Sequence, residues 1–167
     1  SNPVFSKMFQ RPATSVGSSV LAAELVACGG RAYSLGGGLH HGMATHANGF
    51  CFLNDLVFAI RRLRSLGIQR VAYVDLDAHH CDGVEVAFES DNDLLIVSTH
   101  EALRWPYSGK LKDNSQDKRV NIPLPKACND DEFLLIVDQV ILPVIQRFSP
   151  EALLIQGGAD ALCDDPL

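Results

Sequence analysis

The feature that most constrains the fold is an apolar run that ends at a cluster of charged residues. The run reads Arg-Val-Ala-Tyr-Val-Asp over residues 70–75. A strand of a parallel sheet that is covered on both faces carries such a near-continuous apolar run. A strand with one solvent-exposed face alternates apolar and polar residues instead. The run therefore predicts a central parallel strand. Ligands of open parallel sheets bind beyond the carboxyl ends of the strands, so the residues that follow Asp75 are candidates for a site.

Helical and extended patterns alternate along the rest of the chain, which is typical of a parallel sheet covered by helices on both faces. Caps and glycine stops set the limits of the helices. We predict helices over residues 15–27, 54–66, 83–90 and from Asn129 or Asp130 to Phe148, the last one bent at Pro143. We predict strands over residues 31–35, 70–75, 94–98 and 152–156, and a polar loop over 104–119. No repeat or linker divides the sequence, so we expect a single domain over residues 1–167.

Composition argues against several functional classes. A net charge of -6 disfavours nucleic acid as a partner, because phosphate backbones bind to basic surfaces. The same charge suits a cationic substrate such as a lysine side chain or a polyamine, although it is also an ordinary solubility charge. The sequence shows no apolar run of bilayer length and no signal peptide, so we expect a cytoplasmic protein without a membrane partner. The five cysteines form no C-x-x-C pair, which fits free thiols in a reducing compartment.

The segment after the central strand reads Asp75-Leu-Asp77-Ala-His79-His80-Cys-Asp82-Gly. Residues two apart in an extended chain point to the same side, so Asp75, Asp77 and His79 share one face. Two carboxylates and an imidazole beside a buried strand are costly to bury unless a partner neutralises them. Zinc or iron suits such mixed nitrogen and oxygen ligands. The alternative is a solvated loop with turn-forming aspartates.

Two further segments also follow predicted strands. Gly-Gly-Leu-His-His ends in His40 and His41, and Gln-Gly-Gly-Ala-Asp ends in Asp160. Taken singly, the first also fits a flexible loop with surface histidines, and an aspartate after glycines is common in turns. A fourth segment, Gly-Phe-Cys-Phe-Leu-Asn over residues 49–54, lies between them along the chain.

In their order along the chain, with the histidine pair first, then Gly-Phe-Cys, then the segment after the central strand and last the segment that ends in Asp160, the four segments resemble the histone deacetylases and their bacterial relatives, the acetoin-utilisation proteins and acetylpolyamine amidohydrolases. The resemblance runs from about Pro3 to Leu167. It implies an arginase/deacetylase-like α/β fold, which has three layers, α/β/α, with a central, mostly parallel sheet.

The resemblance also implies a set of site residues. Asp77, His79 and Asp160 match the family's zinc ligands. The paired active-site histidines and the aspartates that orient them are matched, respectively, by His40 with Asp75 and by His41 with Asp82. The walls of the acyl-lysine tunnel are matched by Gly49, Phe50 and Trp105. A potassium site beside the zinc is matched by Asp75, Asp77, His79, Ser98 and Thr99.

The implied chemistry is hydrolysis of an acetyl amide, with acetyl-lysine, an acetylpolyamine or a similar small acetylated amine as substrate. Zn²⁺ is the expected cofactor, with Fe²⁺ as the alternative and K⁺ as a structural ion. Neutral His41 takes a proton from water and returns one to the leaving amine, and protonated His40 stabilises the intermediate, although the sequence leaves open which histidine does which.

Full-length chains of the family are longer than this one. Their first strand and their catalytic tyrosine, which donates a hydrogen bond to the oxyanion, fall outside residues 1–167. We therefore expect an incomplete sheet, a homo-oligomer formed through its uncovered edge, and weak activity of this chain alone. The alternative from a different class is a non-catalytic, metal-bearing binding or assembly module derived from a deacetylase.

Overall fold

The computed structural model describes residues 2–115 and 118–166 and forms two compact units. The first unit comprises Ser1–Gln69 and Cys81–Asp91, and the second comprises Arg70–His80 and Asn92–Leu167. The helices of the first unit are α1 (Gln10–Ala27), α2 (Asp55–Ser65) and α3 (Asp82–Ala87). The elements of the second unit are the strands β1 (Val71–Asp75), β2 (Leu94–Glu101), β3 (Arg119–Leu124) and β4 (Ala152–Gln156) with the helices α4 (Asp130–Ile136) and α5 (Leu142–Phe148).

The second unit is built on a parallel sheet with the strand order β3-β2-β1-β4. Every residue of β1 is buried, which confirms the predicted central strand. Asp75, the last residue of β1, pairs with Ser98 of β2 and with Gln156 of β4. The carboxyl ends of β1 and β4 are therefore level, and the residues that follow them leave the sheet at the same edge.

One face of this sheet packs against α4 and α5. The buried cluster consists of Ala72 and Val74 of β1, Leu95 and Val97 of β2, and Ile141 from the helical segment. Alternate residues on the other face, such as Tyr73 and Ile96, are buried as well. The two central strands therefore carry apolar residues on both faces, as the apolar run predicts.

The first unit is held together by the packing of α1 against α2. The buried residues Leu56, Ala59, Ile60 and Leu63 of α2 follow the helical spacing of one apolar face. Asn54 caps α2, because its side chain accepts a hydrogen bond from the Val57 N–H at 3.2 Å. The helices predicted over residues 15–27, 54–66 and 83–90 are all present, with α1 beginning five residues earlier, at Gln10.

The prediction of a strand over residues 31–35 is wrong. Residues 31–34 have no regular structure, and Tyr33 and Leu35 are both 86% exposed. A strand needs a neighbouring backbone to complete its ladder of hydrogen bonds. Within the described ranges, no strand pairs with this segment.

The strand β3 was not predicted, because Arg119, Asn121 and Pro123 make its sequence look like a loop. It lies at the end of the strand order, where a proline is tolerated because one side of the strand needs no donor. The loop before it has irregular structure with one 3₁₀ turn at Leu111–Asp113, as expected. Residues 116 and 117 of the predicted loop lie outside the described residues.

The long helix predicted to begin at Asn129 or Asp130 is present but interrupted. Asn129 caps α4 by accepting a hydrogen bond from the Glu132 N–H at 3.0 Å. A π-helical turn, Val137–Ile141, separates α4 from α5, and Pro143 lies in the first turn of α5. The interruption therefore lies just before the proline that lacks a backbone donor. Among the described residues, no helix is both long enough and apolar enough to span a membrane.

Candidate functional site

The three predicted zinc ligands lie together in the second unit. Asp77 and His79 follow the end of β1, and Asp160 follows β4, the neighbouring strand. One potential ligand atom from each of the three lies within 4.8 Å of the other two. His79 Nδ1 is 2.8 Å from Asp160 Oδ2 and 3.2 Å from Asp77 Oδ1. The level ends of β1 and β4 thus bring together residues that are about eighty positions apart in the chain.

Hydrogen bonds from the surrounding backbone hold the two carboxylates in place. The Ala78 N–H donates to Asp160 Oδ1 at 3.0 Å, and the His79 N–H donates to Asp77 Oδ1 at 2.9 Å. The Gln156 side chain donates to Asp77 Oδ2 at 3.0 Å. The carboxylate positions are therefore fixed by the protein itself, which is the role of the groups that surround metal ligands.

The two carboxylates also determine the charge of His79. Hydrogen bonding to Asp160, and then to Asp77, raises the pKa of His79 to about 9 against the opposing effect of burial. An imidazolium between two carboxylates offsets one of their two negative charges when no metal is bound. A divalent cation offsets both, and one nitrogen and two oxygen ligands suit zinc or iron. The residues present therefore fit a metal ion.

The five residues predicted to bind potassium lie around the ends of β1 and β2. Asp75 is fully buried, and its carboxylate accepts hydrogen bonds from the Tyr73 hydroxyl and, at 3.1 Å, from the Asp77 N–H. The Thr99 hydroxyl donates to the Asp75 carbonyl at 3.2 Å, and Ser98 is the register partner of Asp75. The structure brings these residues to one edge of the sheet, and their binding of potassium stays a prediction.

The predicted histidine pair belongs to the first unit. His40 and His41 are both buried, and their Nε2 atoms are 2.9 Å apart. His41 Nδ1 lies 2.7 Å from Asp82 Oδ1, and Asn48 donates to the other oxygen of Asp82 at 3.0 Å. A carboxylate beside Nδ1 holds the proton there, so Nε2 of a neutral His41 carries the lone pair. The structure thus places Asp82 beside His41 as the resemblance implies. The predicted pairing of Asp75 with His40 joins residues of different units and stays a prediction.

Two further residues, which the sequence does not mark as part of the site, hold the loop that carries His40 and His41 (the histidine loop). Besides capping α2, Asn54 donates from its amide to the carbonyls of His40, at 3.0 Å, and of Gly42, at 3.2 Å. Asp55 is fully buried and accepts hydrogen bonds from the Ser19 hydroxyl at 2.6 Å and the Leu39 N–H at 2.7 Å. A sequence signal for Asp55 exists, because it lies four residues before Ala59 on the apolar face of an amphipathic helix.

The predicted tunnel residues are found in both units. Trp105, in the second unit, lies edge-on to the His79 ring with a centroid separation of 6.1 Å. Phe50, in the first unit, is 80% exposed and has a φ of 62°, next to Gly49 with a φ of 49°. A bulky residue in the left-handed region is uncommon and is often found at functional positions. The assignment of these residues to a substrate tunnel stays a prediction.

Comparisons of the sequence with known proteins agree on one family. The histone deacetylase domain family matches residues 1–167. The chain is 43% identical over 132 residues to histone deacetylase HOS1 of Saccharomyces cerevisiae, which covers 77% of this chain and 28% of that protein. It is 38% identical over 173 residues to the acetoin utilization protein AcuC of Bacillus subtilis, which covers 99% of this chain and 45% of that protein.

Solved structures give the same result for the fold. A histone deacetylase homologue complexed with SAHA matches with a TM-score of 0.92 and 39% identity, covering 99% of this chain and 46% of that chain. A homologue from Aquifex aeolicus matches with a TM-score of 0.91 and 39% identity, covering 98% of this chain and 46% of that chain. The arginase/deacetylase-like α/β fold is thereby confirmed. The chain spans less than half the length of these relatives.

Proposed function

Because the chain belongs to the histone deacetylase family, we propose that it contributes the metal centre for the hydrolysis of an acetyl amide. The observation that carries this proposal is the convergence of Asp77, His79 and Asp160 within 4.8 Å. We propose zinc as the ion, with Fe²⁺ as the alternative, because the ligand set suits both. Three protein ligands leave a coordination position open, as catalytic zinc sites do.

When bound, the metal supplies a Lewis acid that polarises the acetyl carbonyl and lowers the pKa of a water molecule. The two aspartates and the imidazole nitrogen of His79 would hold it. Backbone N–H groups and Gln156 keep those carboxylates oriented for the ion. The fully buried Asp75 and its neighbours Ser98 and Thr99 form the proposed potassium site.

His41 is the proposed general base. Asp82 lies 2.7 Å from its Nδ1, so the proton stays on that nitrogen and Nε2 is available to accept one. His41 takes a proton from the attacking water and passes one to the leaving nitrogen, so that the amide C–N bond breaks and acetate and an amine are released. His40, whose Nε2 is 2.9 Å from that of His41, stabilises negative charge on the carbonyl oxygen when it is protonated.

The proposed substrate is an acetyl-lysine, an acetylpolyamine or another small acetylated amine. The names of the relatives support deacetylation, and one solved relative is complexed with SAHA. The net charge of -6 is compatible with substrates that carry further cationic groups. Trp105, beside His79, and the exposed Phe50 are the proposed aromatic contacts of the acyl chain. The cytoplasm is the proposed location.

The test is acetate release from an acetyl-lysine peptide by the zinc-loaded protein that carries this chain. We expect His41→Ala to lose at least about a hundredfold in kcat, because general-base catalysis supplies about that much, while it keeps its zinc. His46→Ala is the matched control, since His46 is exposed in the same unit. Zinc binding without acetate release in the parent protein would contradict the proposal and favour a metal-bearing binding module.

A further inference from the structure

A cavity lies at the opposite edge of the sheet from the metal cluster, in the second unit. Its volume is about 240 Å³, and three of its lining residues are the cations Arg70, Lys118 and Arg147. Arg70 directly precedes β1 and Lys118 directly precedes β3, so the cavity lies at the amino-terminal ends of the strands. The ligands Asp77, His79 and Asp160 follow the carboxyl ends. The cavity is therefore distinct from the metal cluster.

Neutral groups orient two of the three cations. The Arg70 guanidinium lies 4.4 Å from the centroid of the Phe148 ring and donates to the Phe148 carbonyl. The Lys118 ammonium donates to the Asn92 side-chain oxygen. In the part of the chain that the structure describes, no carboxylate forms an ion pair with any of the three. Such a cluster is unexpected in a chain with 20 acidic residues against 14 lysines and arginines.

Packing alone explains only part of this cluster. The carboxyl end of α5 at Phe148 favours nearby cations through the helix dipole, which accounts for Arg70 and Arg147. Lys118 precedes a strand and receives no such benefit. The Glu151 carboxylate accepts a hydrogen bond from the Arg70 backbone N–H at 2.8 Å but does not line the cavity. The lining itself combines cations, one amide and apolar groups without an acid.

We propose that this cavity binds a phosphate group, as inorganic phosphate or as the phosphate of a small ester. Two guanidinium groups and one ammonium supply charge-assisted donors, and arginine matches phosphate oxygens in a bidentate geometry. The volume of about 240 Å³ is below the range of pockets for drug-sized ligands and suits a small anion. Phe148 and Leu95 provide an apolar wall that lowers the local dielectric and strengthens these interactions.

The test is titration with inorganic phosphate at physiological ionic strength. Binding is measured by the amide chemical shifts of the protein and by calorimetry. We expect saturable binding in the parent, with the largest shifts at Lys118, Arg147 and Phe148. Arg147→Gln and Lys118→Gln should each weaken binding about tenfold or more, because each removes a charge-assisted hydrogen bond. Lys126→Gln is the matched control, since Lys126 is an exposed cation of the same unit that does not line the cavity.

Melting temperatures in phosphate-free buffer check that the variants are folded. Arg147 is exposed, so we expect its substitution to leave the fold intact. A phosphate ester such as glycerol phosphate, titrated in parallel, distinguishes the two sources of the anion. The proposal is overturned if the parent shows no saturable phosphate binding. It is equally overturned if Lys126→Gln weakens binding as much as Arg147→Gln does.

Discussion

Gly158 lies so close to Asp77 that no side chain fits between them. A Cβ atom at Gly158 would be 2.1 Å from Asp77 Oδ2, whereas one at Gly157 would meet nothing within 4 Å. Gly158→Ala should therefore displace the carboxylate and weaken zinc affinity about tenfold or more, the usual effect of disturbing a ligand's surroundings. Gly157→Ala should leave the affinity unchanged. Calorimetric zinc titration of both variants checks this, and equal affinities would contradict the placement of Asp77.

The protonation of His79 predicts a pH dependence of metal binding. Its pKa is raised to about 9 without metal, so below that pH the imidazole must lose a proton before its nitrogen binds zinc. Apparent zinc affinity should therefore rise with pH, by about tenfold per unit from pH 6 to pH 8. Titrations in buffers of different ionisation enthalpy should show about one proton released per zinc near pH 7. A pH-independent affinity without proton release would rule out His79 as a ligand.

The clustering of site residues was predictable from sequence where those residues lie close together along the chain. Asp77 and His79 alternate after a strand end, and that spacing alone predicts a shared face. The contacts of Gln156 with Asp77 and of Asn54 with the His40 carbonyl could not be predicted, because each joins residues brought close only by the fold. Gly158 was seen as part of a motif, but its closeness to Asp77 depends on the pairing of β1 with β4.

At the level of the elements, local signals predicted helices better than strands. Asn54, Gly67 and the capping residue Asn129 act within their own helices, so they are readable from sequence. A strand depends on a neighbour that the local sequence does not reveal. Residues 31–35 have the composition of a strand but no neighbouring strand to pair with in the described part of the chain. The composition of β3 resembles that of a loop, yet β3 pairs with β2.

The first turn of α2 links helix capping to the histidine loop, and two matched substitutions separate these roles. Serine keeps a capping oxygen but loses the amide donor. Asn54→Ser should therefore cost about 1–3 kcal/mol of unfolding free energy, because the His40 and Gly42 carbonyls lose their donor. Asn129→Ser changes an exposed cap of α4 and should cost about 0.5 kcal/mol or less. Equal losses in denaturant titrations would show that Asn54 acts only as a cap.

For the whole molecule, the order of motifs was the informative signal, because four sparse segments identify a fold that no single segment specifies. The family and the fold class were predictable for that reason. The division into two compact units was not, since the first unit takes residues from both sides of β1. The single domain, the homo-oligomer, the cytoplasmic location and the weak activity of this chain alone stay predictions.

Zinc titration of the parent chain and of Asp160→Ala is the decisive measurement for the proposed metal centre. Asp160 follows β4 and reaches a cluster whose other two members follow β1, so its contribution depends on the fold and on the ligand assignment together. We expect one zinc per parent chain and a loss of about a hundredfold or more in affinity for Asp160→Ala. Asp164→Ala, which changes an exposed carboxylate of the same segment, should bind like the parent. Equal zinc affinity in Asp160→Ala and the parent would contradict the metal centre proposed here.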